Sequence, residues 1–433
     1  MTLNQHFNHL LDKQWLFLEE GWPFVPVSTN NRTVNKEVAF MKTIKSTLMA
    51  RLGAIPVFFF LTVIWPNVKY PGPYRKVEKG LVLLYHLVKG ASMEQMSPFL
   101  PKSSFFAVYS TFYKTEYTAH DKFITSCLAN MFSTITIRLL SANKKNPPLF
   151  KQVTLHLDGH DTRATYQGET SAEMYSYKLK KSGLRTQVVM DCNGMALWVS
   201  KSASCKNYAD GTMLLSMKLD KKMHAMDCVA VDGGYTQFLK TLAEKSDLTL
   251  HNFTHPFRRK KHQDLTSQET EYNSIFGSFR SQMEALFGEL GSVFERHNNR
   301  APIITEKKNT YNLQMKLALL LLNIKRMVAM LKLTSEPIHT SWMRDDFDYP
   351  GENQDVEQTM DYFPINALLE DGDTMARMQE EFLGMAIGDE DITMDHMQEH
   401  ATIGFAIPRW SAKRKSAAMT NKTQDADGED HDL

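Results

Sequence analysis

Three acidic residues, far apart in the chain, have the types and settings that metal-assisted phosphate chemistry requires. Asp158 closes the apolar run Val153-Thr154-Leu155-His156-Leu157-Asp158-Gly159, and Asp232 closes Cys228-Val229-Ala230-Val231-Asp232-Gly233-Gly234-Tyr235. Glu284 lies within Phe279-Arg280-Ser281-Gln282-Met283-Glu284-Ala285-Leu286-Phe287-Gly288. The two apolar runs read as buried strands and the third segment as a helix. Two carboxylates at strand ends and one mid-helix offer hard oxygen ligands to a pair of Mg²⁺ ions ~3.5–4 Å apart, with Mn²⁺ as a substitute. Such a pair activates water or a 3′-hydroxyl and stabilises the leaving oxygen of a phosphodiester. On this reading Asp158 bridges both ions, and Asp232 and Glu284 hold one each.

Each acid alone has a plainer reading. An Asp before Gly at a strand end commonly forms a turn, and a Glu on a long helix commonly faces solvent. The order strand, strand, helix makes the set specific. Among the neighbouring acids, Asp161 reads as a loop residue or an auxiliary ligand, Asp210 as a helix cap and Asp191 as a hairpin residue. Glu289 and Glu295 point away from Glu284. His156 faces the opposite side of its strand from Leu155 and Leu157, and His160 reads as a loop residue that could touch substrate phosphate.

The elements that must position these residues follow from periodicity. Strands are predicted at 152–157, 175–180, 185–190, 195–199, 228–231 and 248–253. The second and third are extended segments, and Asp191-Cys192-Asn193-Gly194 is the turn of a tight hairpin. Helices are predicted at 207–218 and 235–244, followed by one long helix at 268–296 and an apolar helix at 311–333. This is a ribonuclease H-like order with a mixed central sheet.

Upstream, Phe7, Leu10, Leu11, Trp15 and Leu18, then Val38, Met41, Ile44, Leu48 and Leu52, recur at helical spacing, with Gly21 and Gly53 as stops. Residues 76–90, a short helix from Ser92, a turn at Pro101-Lys102-Ser103 and a helix to 117 resemble a helix-turn-helix. Plain three-helix packing accounts for them equally well. A further helix at 121–140 leads to a linker at 143–148.

The predicted architecture is therefore α/β. It has an accessory helical region at 1–75, a helix-turn-helix-like DNA-binding region at 76–148, a ribonuclease H-like catalytic core at 151–335 and an acidic, largely disordered tail at 336–433.

The formal net charge of +1 conceals a division. Residues 341–433 carry 22 acidic and 7 basic side chains, whereas 1–340 carry 43 basic and 27 acidic ones. A basic body favours a polyanionic partner, most simply DNA. Its candidate phosphate contacts are Lys178, Lys180, Lys181 and Arg185, then Arg258, Arg259, Lys260 and Lys261, with Arg280, and Lys114 on the helical region. Arg409-Trp410-Ser411-Ala412-Lys413-Arg414-Lys415 reads as a nuclear import signal or a solvated loop. The cysteines Cys127, Cys192, Cys205 and Cys228 form no Cys-x-x-Cys pair, which argues against a zinc ribbon and for a reducing compartment. The first residues lack the apolar core of a signal peptide, and the apolar run 55–65 is too short to span a bilayer. No membrane association is expected.

These motifs resemble those of PIF/Harbinger-type DDE superfamily transposases. The resemblance rests on Leu157-Asp158-Gly159, Asp232-Gly233-Gly234-Tyr235, and 273–287 with Arg280, Glu284 and Phe287. Val188-Val189-Met190-Asp191-Cys192-Asn193-Gly194 is similar to the family's second and third strands. It implies a nuclear, metal-dependent endonuclease and strand transferase that cuts at transposon ends and joins the 3′-hydroxyl to target DNA. It also implies a homo-oligomer on DNA and a separate Myb-like DNA-binding partner. The family pattern Gly-Thr-His after the first Asp is here Gly159-His160-Asp161. The alternatives are a transposase-derived DNA-binding protein without turnover, or a metal-dependent nuclease that does not join strands.

Overall fold

Strand β1, Leu155–Tyr166, is the axis of a mixed sheet. A computed structural model describes residues 34–65, 75–90, 96, 101–166, 168–259, 262–305, 307–345 and 347, with side chains from 39 onward. The helix expected from Phe7 to Leu18, all but Met96 of the helix from Ser92, Lys260, Lys261, the basic island at 409–415 and nearly all of the acidic tail lie outside these residues.

β1 pairs antiparallel with β3 (Lys181–Asp191) over its first nine residues. β3 also pairs with β2 (Tyr175–Ser176), β4 (Ala196–Val199) and β5 (Ala203–Ser204). On its other side β1 pairs parallel with β6 (Val229–Ala230), and β6 with β7 (Phe253–Thr254). The far end of β1 pairs parallel with β8 (Ile303–Thr305).

Helices pack on both faces of the sheet. The upstream ones are α1 (Val34–Leu52), α2 (Ala54–Phe59), α3 (Lys76–Lys89), α4 (Lys102–Ser110), α5 (Tyr117–Asn130) and α6 (Ile135–Lys145). Within the sheet region lie α7 (Asp210–Ser216) and α8 (Thr236–Glu244). Then come α9 (Ser267–Arg280), α10 (Gln282–Val293) and α11 (Lys308–Met330).

Alternation along β1 sorts its side chains between two cores. Leu155 and Leu157 join the large core with α11, whose leucines 317 and 319–322 are almost wholly buried. On the opposite face, Phe150, Val153, Ala230, Phe276 and Phe279 form a second core beneath α9. β1 is buried on both faces although it carries polar residues, among them His156, His160, Asp161 and Thr162. The large core also takes in Ile44, Leu48, Phe58 and Phe60 from the upstream helices, so these share one core with α11 and the sheet. The apolar run 55–65 is buried throughout. Among the described residues no single helix is long and apolar enough to cross a membrane, although two sharply bent helix pairs have the length and composition.

A buried ion pair locks α6 to the sheet. Arg138 donates to both oxygens of Asp227, at 2.8 and 2.6 Å, and Asp227 also accepts from Thr154 Oγ1 at 2.7 Å.

The structure corrects several element boundaries. β1 runs to Tyr166, so Asp158 stands inside a strand, and Gly159, His160 and Asp161 are strand residues, not a loop. The strand predicted at 248–253 is a 3-10 turn, Leu250–Asn252, ahead of the two-residue β7. Of the extended stretch 175–180, only Tyr175 and Ser176 form a strand. The helix predicted at 207–218 spans only Asp210–Ser216. The long helix predicted at 268–296 breaks at Ser281, where the chain tightens and the Ser281 amide is shared between the carbonyls of Gly277 and Ser278. The helix predicted at 121–140 is two helices. Thr134 caps the second by accepting from the Ile137 amide. The helix expected from Ser103 to 117 starts at Lys102 and ends in a π-helical turn, Thr111–Thr115.

The Asp191–Gly194 hairpin forms as expected. Gly194 takes the positive φ of 79° that the turn requires.

Candidate active site

The register of β1 on β6 builds the site. Leu155 lies opposite Val229 and His156 opposite Ala230, and both chains run in the same direction. Continuing that register by two residues brings Asp158 level with Asp232. Asp232 has by then left the strand and starts the 3-10 turn Gly233–Tyr235, its side chain accepting from the Gly233 amide. The Gly-Gly-Tyr that follows anchors this turn, because Tyr235 is buried and its hydroxyl accepts from Gln187 Nε2 at 3.0 Å.

The even-numbered residues of β1 face α9 and α10 in steps. The His156 ring lies 4.6 Å from that of Phe279, and His160 stacks on Phe287 at 4.7 Å. Between these two ring pairs, Asp158 meets Arg280. Arg280 Nη2 lies 3.1 Å from Asp158 Oδ2 and 3.8 Å from Asp232 Oδ2. Arg280 Nη1 is buried and has no hydrogen-bond partner among the described residues. The other Asp158 oxygen accepts from the Gly159 amide at 2.7 Å.

Burial pushes the Asp158 pKa above the ordinary carboxylate value. Arg280, the Gly159 amide and Lys178 oppose that shift, while Asp232 adds to it. Asp210 is likewise raised by burial, against the pull of Arg185. Its carboxylate leans over Gly159, where a Cβ atom would come within 2.9 Å of Asp210 Oδ1. A side chain at 159 would therefore displace Asp210.

Glu284 is exposed in the first turn of α10 and shares with Asp158 the wall of a cleft of about 660 Å³. Lys178, Arg51, Asn298, Asn299 and Arg300 also line it. Arg51 comes from α1 and donates to Glu295 at 2.7 Å, so the upstream helices contribute directly to the cleft wall. Arg51, Asn298, Asn299 and Arg300 carry no local sequence motif, because they are brought to the cleft from a distant helix and turn.

The expected DNA contacts fall into distinct settings. Lys178, Lys180 and Lys181 are exposed at the β2–β3 turn, and Lys178 enters the cleft. Arg258 is exposed and donates to Thr236 Oγ1 at 3.3 Å, and Arg259 pairs with Asp264 at 2.6 Å. Lys114 lies 4.9 Å above the Phe106 ring, away from the acids on the upstream π-helical turn. Arg185 departs from expectation. It is mostly buried and bound to Asp161 at 2.6 Å and to Asp210 at 3.2 Å, which removes it from any open DNA surface. Arg280 is equally enclosed between the acids.

Asp161 is buried and held by Arg185 and Ser176 in a structural ion pair, not in a loop. The Arg185 and Ser176 hydrogen bonds outweigh the effect of burial and lower its pKa. His160 is also buried, and burial lowers its pKa to about 4, so the ring is neutral near pH 7. Asp210 is the first residue of α7 and the preceding Ala209 is the cap, so the capping role expected of Asp210 is not observed.

The donor set fits divalent ions of the Mg²⁺ class in kind, since its ligands are carboxylate oxygens. Asp158 and Asp232 lie close enough to share one cationic group, the Arg280 guanidinium. Among the described residues, no three His, Cys, Asp or Glu side chains gather closely enough to hold a metal ion together. Glu284 therefore faces the same cleft without reaching the point that the two aspartates share.

No curated protein and no solved structure matches the chain. One family model does match, and its span begins at Asp158 and takes in Asp232 and Glu284. Residues 158–323 match the family described as DDE superfamily endonuclease, which supports a DDE transposase-like domain in this part of the chain.

Proposed function

We propose that the protein is a DNA transposase of the PIF/Harbinger type, with a ribonuclease H-like catalytic core that cuts at transposon ends and joins the 3′-hydroxyl to target DNA. The observation that carries this reading is the convergence of Asp158 and Asp232 on one cationic group, beside a cleft that also presents Glu284. It lies within the segment matched by the DDE superfamily endonuclease model.

Asp158, Asp232 and Glu284 would hold the divalent ions, Mg²⁺ with Mn²⁺ as a substitute. When bound, such ions activate the attacking water or 3′-hydroxyl and neutralise charge on the leaving oxygen. The chain's own groups do the rest. Asp158 is placed rigidly because its strand is paired on both sides and its carboxylate is fixed by the Gly159 amide. Lys178 and Arg300 on the cleft wall meet the phosphates next to the reacting one. Phe287 stacks on the buried His160 ring in the cleft wall beside Asp158.

DNA is the substrate of this reading. Action in the nucleus, a homo-oligomer on DNA and a separate Myb-like partner belong to it as well. A second reading, a transposase-derived DNA-binding protein without turnover, has one observation in its favour: among the described residues Glu284 does not gather with the two aspartates into a three-ligand cluster.

The test is to incubate the full chain with a plasmid carrying the DNA that flanks its own gene, with Mg²⁺ or Mn²⁺. Cut and joined products support the transposase. Cut products alone support a nuclease without joining. Bound but intact DNA supports the non-enzymatic reading.

A further inference from the structure

Arg280 reaches both aspartates of the candidate site. Its guanidinium lies between Asp158 and Asp232, at 3.1 and 3.8 Å. Its side chain is only 15% exposed, yet one of its terminal nitrogens, Nη1, has no hydrogen-bond partner among the described residues. An arginine used only as a structural clamp would be expected to satisfy its donors when buried. This one spends its charge on the two acids and leaves a donor idle. It is also the last residue of α9, immediately before the break at Ser281, where the helical backbone is interrupted.

We infer that Arg280 is an internal counter-ion that holds Asp158 and Asp232 together in the metal-free protein and competes with a divalent cation for them. The inference rests on the metal-binding reading above. Two carboxylates and one guanidinium leave a net charge of −1 at this point. A divalent ion neutralises the pair without help, so a guanidinium that stays in place would repel it. Metal entry then requires Arg280 to withdraw, and its idle Nη1 is free to donate to a new acceptor, such as a DNA phosphate, once it does. Arg280 is thus a positioning residue. It keeps two repelling acids preorganised, one of them largely desolvated, and it sets the metal concentration at which the site loads.

The test is Mn²⁺ titration of the full chain without DNA, followed by calorimetry or by the paramagnetic resonance signal of free Mn²⁺. Arg280→Gln is expected to bind Mn²⁺ about tenfold more tightly than wild type, because the competing charge is gone. Arg280→Lys keeps the charge and is expected to stay within about threefold of wild type. Adding Asp232→Asn to Arg280→Gln should erase the gain. Thermal melts provide a second readout. Without metal, Arg280→Gln should melt below wild type, and Mn²⁺ should raise its melting temperature more than that of wild type. Binding by wild type that is unchanged or weaker in Arg280→Gln would overturn the counter-ion role and leave the metal reading standing. Equal tightening by Gln and Lys would show that charge is not the cause and would also overturn it. Failure of both wild type and Arg280→Gln to bind Mn²⁺ would overturn the metal reading itself.

Discussion

Asp158 and Asp232 are brought level by the parallel register of β1 on β6, and both lie within 4 Å of the Arg280 guanidinium. That register is fixed by burial. A slip by one residue would turn Leu155 and Leu157 out of the large core and His156 into it. The geometry of the two acids is therefore set by apolar packing on both faces of the sheet.

The Arg138–Asp227 pair should be a major determinant of stability. The Asp227 side chain is fully buried and accepts from Arg138, Thr154 and the His224 amide. Asp227→Ala would leave the guanidinium buried without its partner, a loss of about 3–5 kcal/mol. Denaturant unfolding should show a midpoint shift of that size, and a shift below 1 kcal/mol would contradict the assignment.

Stability should fall in mild acid. Burial holds His297 well below the ordinary histidine pKa, and His120 is lowered for the same reason. A histidine whose folded pKa is depressed binds fewer protons folded than unfolded. Its contribution is thus complete above about pH 6.5 and is lost as pH falls below that value. Replacing His297 with Phe removes one such group. The melting temperature of wild type should then drop more than that of His297→Phe between pH 7.5 and 5.5, by roughly 2–4 °C. Parallel curves for the two proteins would count against it.

The exposed lysines and the enclosed arginine should respond differently to removal. Replacing Lys178, Lys180 and Lys181 with Ala should weaken DNA binding and reduce the slope of log affinity against log salt by up to about three, without lowering the melting temperature. Arg185→Ala should instead lower the melting temperature, because it leaves Asp161 buried and unpaired. A salt slope untouched by the triple change would move the DNA path away from the β2–β3 turn.

Removing residues 348–433 should raise non-specific DNA affinity. These residues carry 20 acidic and 6 basic side chains, which compete with DNA for the basic body. The cut must spare Trp342 and Phe347, which are buried, and Asp345, which pairs with Lys45 at 2.9 Å. Unchanged affinity at low salt after truncation would argue against this role for the tail.

The acids were legible in the sequence because each follows or interrupts a strong periodic signal. Asp158 sits in an apolar run, Asp232 ends one, and Glu284 flanks a helical stripe. β1 was underestimated because its second half, Gly159–Tyr166, contains polar residues. These are buried through specific partners, Asp161 on Arg185 and Thr162 on Tyr311, and pattern reading assigns unpaired polar residues to loops. The break at Ser281 left no sequence signal, since the apolar spacing continues across it. The charge of Arg280 points to a DNA contact, and its enclosure between the acids leaves no sequence signal. The part of the cleft built by Arg51 was invisible, because it depends on α1 packing against a region more than 200 residues away.

The most direct measurement is metal-dependent DNA cleavage by wild type beside Asp158→Asn, Asp232→Asn and Glu284→Gln, with DNA affinity measured on the same preparations. All three variants are expected to lose cleavage by at least about a hundredfold while binding DNA within a few-fold of wild type. Cleavage that survives Asp232→Asn, or loss of DNA binding in parallel with cleavage, would contradict the assignment of these acids as the catalytic centre.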